Sequence, residues 1–175
     1  KSKKYLAPDY IVMDIACGSG ITTVEIAKDV KEIHALDTSQ EMINIAREKI
    51  ENSSINNVRF SVTDIFDSRW EKDFYDVVMA FNILCYVKNT DSFLSRVHEL
   101  LKPGGIFLSA TDCSEEEESG NSFIQDLIRK FKRIPYMKDF SISELESAVQ
   151  KNKFHILESC NLHDEFLNIF IAARK

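Results

Sequence analysis

The chain has 175 residues, of which 44% are hydrophobic and 29% are charged, a composition typical of one globular domain with a substantial core. No apolar run approaches the roughly 18 residues of a membrane span, and no apolar signal-peptide segment follows the basic start. The formal net charge of -6 argues against a nucleic-acid-binding surface, and the four cysteines lack metal-binding spacing, so we expect a cytoplasmic protein with reduced cysteines and no metal site.

The first half of the chain alternates apolar runs with amphipathic helical patterns. The predicted strands are Tyr10–Ile15, Glu32–Leu36, Val58–Val62 and Phe74–Phe81. The predicted helices are Ser19–Val30, Ser39–Glu51 and Thr90–Leu101. Ser39 is placed to cap the second helix, whose apolar face we expect to consist of Met42, Ile43, Ala46 and Ile50. Strands that alternate with helices predict right-handed βαβ units and a mostly parallel sheet.

The second half of the chain ends differently. Lys102–Gly105 is expected to end the third helix, and Ile106–Ala110 to form the fifth strand. Two further helices are predicted at Ser122–Arg133 and Ser141–Lys151, the latter capped by Ser141 or Ser143. Two apolar strands then follow, at Phe154–Cys160 and Phe166–Ala173. The link between these strands is only about five residues long, so they must form an antiparallel hairpin.

Four features follow consecutive predicted strands, at the edge where open α/β sheets bind ligands. The turn Cys17-Gly-Ser-Gly20 offers bare backbone and a helix N-terminus to a ligand with a negatively charged group. Asp37 can accept hydrogen bonds from two ribose hydroxyls. Asp64 can accept from an exocyclic amine, while Ile65 packs on a flat base. The segment Phe81–Tyr86 would line the far side of the pocket.

Each of these features also has a purely structural interpretation. A Gly-x-Gly pattern alone is a weak signal, Asp37 could cap the next helix, and Asp64 could be a turn residue. Phe81 and Tyr86 could be core residues. Because four suitable groups in the right order rarely occur together by chance, we interpret them jointly as one pocket for a small molecule.

With these residues, the chain resembles class I S-adenosylmethionine-dependent methyltransferases. Asp14-Ile-Ala-Cys-Gly-Ser-Gly20 is similar to their first motif, Asp/Glu-x-Gly-x-Gly-x-Gly, with Ala16 in place of the first glycine. Asp37 and Asp64 match the acidic ends of the second and third strands, and Leu100–Leu108 resembles the turn into the fifth. The resemblance implies an α/β, Rossmann-like three-layer sandwich, whose mostly parallel seven-stranded sheet ends in a C-terminal antiparallel hairpin.

The resemblance also implies a cofactor, S-adenosyl-L-methionine, and residues that bind it. The residues implied around its methionine part are Asp14, Ala16, Cys17, Gly18, Gly20, Phe81 and Asn82. Asp37 is implied to bind the ribose hydroxyls. The residues implied near the adenine are Thr38 or Met42, Asp64 and Ile65. We expect one domain over residues 1–175, with an incomplete N-terminal helix, because the family usually has a helix before the first strand and Lys1–Ala7 matches only its tail.

The implied reaction is methyl transfer by in-line displacement, in which the protein aligns nucleophile, methyl carbon and sulfur and excludes water. The acidic charge and small size favour a small-molecule acceptor, and Phe140–Leu145 resembles small-molecule methyltransferases. No catalytic residue is identified, although Asp112 and Tyr86 are candidate bases for a protonated acceptor. Asp112 could also serve a metal, but Asn82 stands where a partner carboxylate is expected, so we predict none. The acceptor and the oligomeric state stay open.

Two other functions stay open beside methyl transfer. A nicotinamide-dependent oxidoreductase would need Gly or Ala at the third fingerprint position, which is Thr23 here, and Asp64 and the terminal hairpin also argue against it. A non-catalytic binding or regulatory protein would keep the glycine turn and both aspartates. Cys85 could be a nucleophile of the cytosine-methylating type, but the Pro-Cys context of those enzymes is missing, so we expect it to pack in the core.

Overall fold

The computed structural model describes residues 1–51, 53–114 and 136–175, so the predicted helix Ser122–Arg133 lies outside the described residues. The strands are β1 (Ile11–Ile15), β2 (Glu32–Asp37), β3 (Val58–Val62), β4 (Tyr75–Phe81), β5 (Leu101–Asp112), β6 (His155–Asn161) and β7 (Asn168–Arg174). The α-helices are α1 (Ile21–Ile26), α2 (Gln40–Glu51), α3 (Thr90–Leu100) and α4 (Ile142–Lys151). Short 3-10 helices cover Ser2–Tyr5, Ala27–Asp29 and Leu84–Tyr86.

All seven strands form one sheet in the order β3-β2-β1-β4-β5-β7-β6. The pairs from β3 to β5 are parallel, whereas β7 pairs antiparallel with both β5 and β6. This arrangement confirms the predicted mostly parallel seven-stranded sheet with its terminal antiparallel hairpin. In addition, the structure shows β7 inserted between β5 and β6. The carboxyl ends of β1, β2, β3, β4 and β5 therefore meet at one edge of the sheet.

The sheet separates two hydrophobic cores, which gives the predicted three layers. One core contains Phe93, Leu94 and Val97 of α3 with Leu145 and Val149 of α4. The other contains Ile26 of α1 with Ile43 and Ala46 of α2. Both faces are covered, since the central strands β1, β4 and β5 are buried on both sides, as parallel strands usually are.

The helix ends follow the expected capping chemistry. Asn89 accepts a hydrogen bond from the Ser92 N–H at 3.0 Å and caps α3. Ser141 and Glu144 form a reciprocal capping box at the start of α4, which settles the choice between Ser141 and Ser143. Ser39 caps α2, since its Oγ accepts from the Met42 N–H at 3.3 Å.

Several predicted boundaries and faces differ from the structure. The first helix begins at Ile21, and its last turn is a 3-10 helix, Ala27–Asp29. Met42 was expected on the apolar face of α2 but is 39% exposed, because the helix turns Ile43, Ala46 and Ile50 toward the core and leaves Met42 at the margin of that face. The segment Lys102–Gly105 does not precede the fifth strand but bulges out of it: Leu101 pairs with Tyr75, and the pairing resumes only where Ile106 meets Val77.

The N-terminal segment packs against the hairpin. The Tyr5 hydroxyl donates to Glu158 Oε2 at 2.9 Å, and Lys4 Nζ lies 2.7 Å from the same carboxylate. The Tyr5 and Phe170 rings lie 6.4 Å apart. The start of the chain is thereby attached to β6 and β7. Among the residues that the structure describes, no helix combines the length and the hydrophobicity needed to cross a membrane.

Candidate functional site

The turn between β1 and α1 is built from left-handed backbone. Ala16, Gly18 and Gly20 have φ angles of 54°, 53° and 73°. A Cβ placed on Gly18 would meet nothing within 4 Å, so the Gly18 backbone faces open space. A Cβ on Gly20 would lie 3.0 Å from the Ala46 Cβ and 3.3 Å from the Phe60 ring. A side chain at position 20 would therefore crowd Ala46 and Phe60, whereas Gly18 leaves room for a ligand against bare backbone.

Asp37, at the end of β2, is tied directly to this turn. Its Oδ2 accepts from the Gly18 N–H and its Oδ1 from the Ser39 N–H, both at 2.9 Å. Because an ionised carboxylate offers about four acceptor positions, each oxygen can still accept a hydrogen bond from a ligand. The alternative that Asp37 caps α2 does not hold, since Ser39 caps that helix.

Asp14 lies in the interior beneath the same turn and is 3% exposed. Its Oδ2 accepts from the Thr23 hydroxyl at 2.6 Å, which connects β1 to α1. Burial raises the pKa of the Asp14 carboxyl to about 7, and the negative charge of Asp37 adds to this effect. Thr23, which breaks the dinucleotide fingerprint in the sequence, thus supports the turn through Asp14.

A cleft of about 530 Å³ follows the ends of β2 and β3. It is lined by Thr38, Val62, Thr63, Asp64, Phe66 and Asp67. Asp64 also stabilises its own turn, since its Oδ1 accepts from the Phe66 N–H at 2.8 Å. Thr38 and Asp64 therefore lie together, as expected, whereas Met42 is not part of the lining.

The expectation for Ile65 is corrected by the structure. The Ile65 side chain is 2% exposed and belongs to the core, whereas the neighbouring Phe66 ring is 56% exposed in the cleft. The sequence contains an aromatic residue here, but it does not reveal which of two adjacent apolar side chains points outward. Phe66 is thus the flat apolar surface that the cleft offers to a ligand.

The far side of the site follows β4. Phe81 is half-buried, and Asn82 is exposed with a left-handed φ of 54°. The Asn82 N–H donates to the Ala110 carbonyl at 2.8 Å, and its Oδ1 accepts from the Asn168 Nδ2 at 3.0 Å. Sequence reasoning did not single out Asn168, although this polar residue directly precedes the apolar run Ile169–Ala173.

Two further side chains of the site region, Cys85 and Tyr86, lie in the 3-10 helix after β4. Cys85 is buried, and burial is the main cause that raises the pKa of its thiol. A thiol with a raised pKa is a poor nucleophile at neutral pH, which agrees with the expected packing role. Tyr86 is 49% exposed at the surface.

Comparison with known protein sequences finds a matching family and related proteins. A family model described as a methyltransferase domain matches residues 6–172. Phosphoethanolamine N-methyltransferase 2 of Caenorhabditis elegans is 23% identical over 171 residues, which cover 95% of this chain and 37% of that protein. Carboxy-S-adenosyl-L-methionine synthase of Shewanella woodyi is 30% identical over 153 residues, covering 84% of this chain and 63% of that protein. The chain thus spans less than two thirds of the length of either relative.

Among solved structures, a geranyl diphosphate C-methyltransferase from Streptomyces coelicolor has a similar fold. That structure is a complex with Mg²⁺, geranyl diphosphate and S-adenosyl-L-homocysteine. It superposes with a TM-score of 0.79 at 17% identity, covering 97% of this chain and 72% of that one. At this level of identity, the likeness concerns the fold alone.

Proposed function

Because the chain belongs to the class I S-adenosylmethionine-dependent methyltransferases, we propose that it binds S-adenosylmethionine and transfers the methyl group to a small-molecule acceptor. The main support for this proposal is the geometry at the junction of β1 and β2. There, the Gly18 backbone faces open space and its N–H is bonded at 2.9 Å to Asp37, whose carboxylate keeps acceptor positions for a ligand.

The described residues fit the three parts of the cofactor. Asp37 would accept hydrogen bonds from the two ribose hydroxyls. The cleft next to it, with Thr38, Asp64 and Phe66, offers a polar acceptor and an exposed ring to the adenine. The turn Ala16–Gly20, supported by Asp14, would hold the methionine part, with Phe81 and Asn82 on its far side.

When bound, S-adenosylmethionine supplies a methyl group on a positively charged sulfur. The chain would position the two reactants in line and exclude water, so it needs no covalent intermediate. We further propose that the acceptor is a small molecule and not a nucleic acid, and that the protein is cytoplasmic. The net charge of -6 supports the first proposal, and the four free cysteines support the second.

Substitution of Asp37 tests the cofactor site. In the Asp37→Ala variant the ribose hydroxyls lose a charged acceptor worth about 1.5–3 kcal/mol. We therefore expect at least roughly tenfold weaker binding of S-adenosylhomocysteine by calorimetry. The matched control is Asp9→Ala, at an exposed aspartate that precedes β1 at the opposite edge of the sheet, which should leave the affinity unchanged. Equal affinity of Asp37→Ala and the parent chain, or binding of NAD in place of S-adenosylhomocysteine, would contradict the proposal.

A further inference from the structure

Three polar side chains meet at the ends of β4, β5 and β7. Asn168, the first residue of β7, lies opposite Asp112, the last residue of β5, and is 5% exposed. The Asn168 Nδ2 donates to Asp112 Oδ1 at 2.6 Å and to Asn82 Oδ1 at 3.0 Å. The buried Asn168 amide therefore holds two exposed side chains, Asn82 directly after β4 and Asp112 at the end of β5.

The chemistry of these groups fixes their orientation. An ionised carboxylate can only accept hydrogen bonds, so Asn168 must direct its NH₂ group toward Asp112. That same NH₂ group also faces Asn82, which must then present its oxygen. Within residues 1–51, 53–114 and 136–175, the Asn82 NH₂ group and the Asp112 Oδ2 have no hydrogen-bond partner. One donor and one acceptor thus remain available, on two side chains that share the Asn168 amide.

These free groups lie at the same edge of the sheet as the proposed cofactor site. Asn82 directly follows β4, which pairs with β1, the strand that leads into the glycine turn. Asp112 ends β5, which pairs with β4. Both Asn82 and Asp112 are exposed, so a molecule held at this edge can reach them.

The neighbouring thiols are not bases at neutral pH. Burial, followed by the negative charge of Asp112, raises the pKa of Cys85 above its usual range and that of Cys113 to about 11. Both cysteines therefore keep their protons. Of the two side chains that Asn168 holds, the Asp112 carboxylate is the one that can accept a proton from a ligand.

We propose that Asp112 is the base that accepts the proton of the methyl acceptor, that Asn168 is its positioning residue, and that the acceptor is a hydroxyl or amine compound. This inference rests on the proposed methyl transfer. Asp112 Oδ2 takes a proton from the acceptor's O–H or ammonium N–H, and the freed lone pair bonds to the methyl carbon. The carbon–sulfur bond breaks, its electron pair stays on sulfur in S-adenosylhomocysteine, and Asp112 later releases the proton to water. The Asn82 NH₂ group orients the acceptor atom.

Two substitutions that exchange the donor Asn168 and the acceptor Asp112 distinguish a catalytic role of Asp112 from a purely structural one. The variants are Asp112→Asn, Asn168→Asp and the two combined, with Asp164→Asn, at an exposed aspartate of the β6–β7 loop, as the matched control. For each, we would measure the melting temperature, the affinity for S-adenosylhomocysteine, and the transfer of tritiated methyl from S-adenosylmethionine. The acceptors are a panel of phenols, primary amines and carboxylic acids.

We expect the parent chain and the control to methylate a phenol or an amine. Asp112→Asn should lower kcat about 100-fold or more, since general bases contribute about 10²–10⁴-fold. Asn168→Asp places a second carboxylate against Asp112 and should lower both kcat and the melting temperature. The combined variant restores a donor–acceptor pair, so its melting temperature should recover. Its kcat should stay low, because the carboxylate then lies at the buried position.

The outcomes separate the two proposals. Loss of S-adenosylhomocysteine binding by the parent chain would contradict the proposed function itself. With that binding intact, the role of Asp112 would be overturned by recovery of kcat in the combined variant, by full activity of Asp112→Asn, or by methylation of carboxylic acids alone. Failure to methylate any phenol or amine of the panel would overturn it as well.

Discussion

Left-handed backbone at single residues shapes both sides of the candidate site. Ala16, Gly18 and Gly20 turn the chain after β1, and Asn82 turns it after β4. Glycine adopts this conformation without a steric cost, and asparagine tolerates it better than most other residues. Ala16 is the exception, because its Cβ approaches the following carbonyl oxygen. Such a conformation costs about 1–2 kcal/mol for an ordinary residue.

The Ala16→Gly substitution should therefore stabilise the protein. It removes the left-handed strain but adds freedom to the unfolded chain, which offsets about 0.4–1 kcal/mol. We expect the free energy of unfolding to rise by about 0.5–1 kcal/mol in urea titrations. The control Ala148→Gly lies in α4, in ordinary helical backbone, and should lower the free energy of unfolding by about 1 kcal/mol. Destabilisation by Ala16→Gly would show that the Ala16 methyl group contributes packing that outweighs the strain.

At the level of single residues, the sequence predicts the conformation of the turn after β1 better than it predicts the contacts around that turn. The glycine spacing predicted a tight turn, but not that Gly20 serves packing while Gly18 faces open space. That difference depends on Ala46 and Phe60, which α2 and β3 bring to the turn. The wrong prediction that Ile65 packs on a ligand also concerns contacts that the sequence does not encode. Ile65 and Phe66 lie in an irregular turn, which has no hydrophobic periodicity to indicate which side chain is buried and which is exposed.

The elements themselves could be predicted closely, because hydrophobic periodicity and capping residues are local signals. The strand β3 and the start of α3 are found where the sequence placed them. The predicted boundaries are wrong where the start or end of an element depends on tertiary contacts and not on the secondary-structure propensity of its own residues. The bulge at Lys102–Gly105 is one case, because only the pairing of Leu101 with Tyr75 reveals that β5 has already begun.

The contact between β1 and α1 has a consequence for stability against pH. Asp14 has a folded-state pKa of about 7, raised from 3.8, so the folded state holds its proton more tightly than the unfolded chain does. The corresponding stabilisation is complete below pH 3.8 and is lost as the pH rises through 7. The loss amounts to about 4 kcal/mol over this range.

The Asp14→Asn substitution should remove this dependence. The amide is neutral at every pH, and its oxygen can still accept from the Thr23 hydroxyl. We expect urea unfolding to show similar stability of the variant and the parent chain near pH 4, and a more stable variant at pH 8. As a control, Asp164→Asn changes an exposed aspartate and should follow the parent chain. Parallel pH profiles of parent chain and Asp14→Asn would contradict a raised pKa at Asp14.

At the scale of the whole molecule, the strand order assembles a site from distant parts of the sequence. The sheet places β1 between β2 and β4, which brings Gly18, Asp37 and Asn82 to one edge. The insertion of β7 beside β5 adds Asn168 to Asp112, 56 positions away in the chain. The antiparallel hairpin was predictable from its short link. The register that sets Asn168 opposite Asp112 was not, because it depends on packing across the complete sheet.

Addition of S-adenosylhomocysteine to the ¹⁵N-labelled chain, followed through the amide resonances, shows whether the cofactor binds at the junction of β1 and β2. Binding there should cause saturable shifts at Gly18, Gly20, Thr38 and Phe66, with little change at Ser147 or Lys151 in the separate cleft between α3 and α4. Unchanged spectra, or shifts confined to that separate cleft, would contradict it.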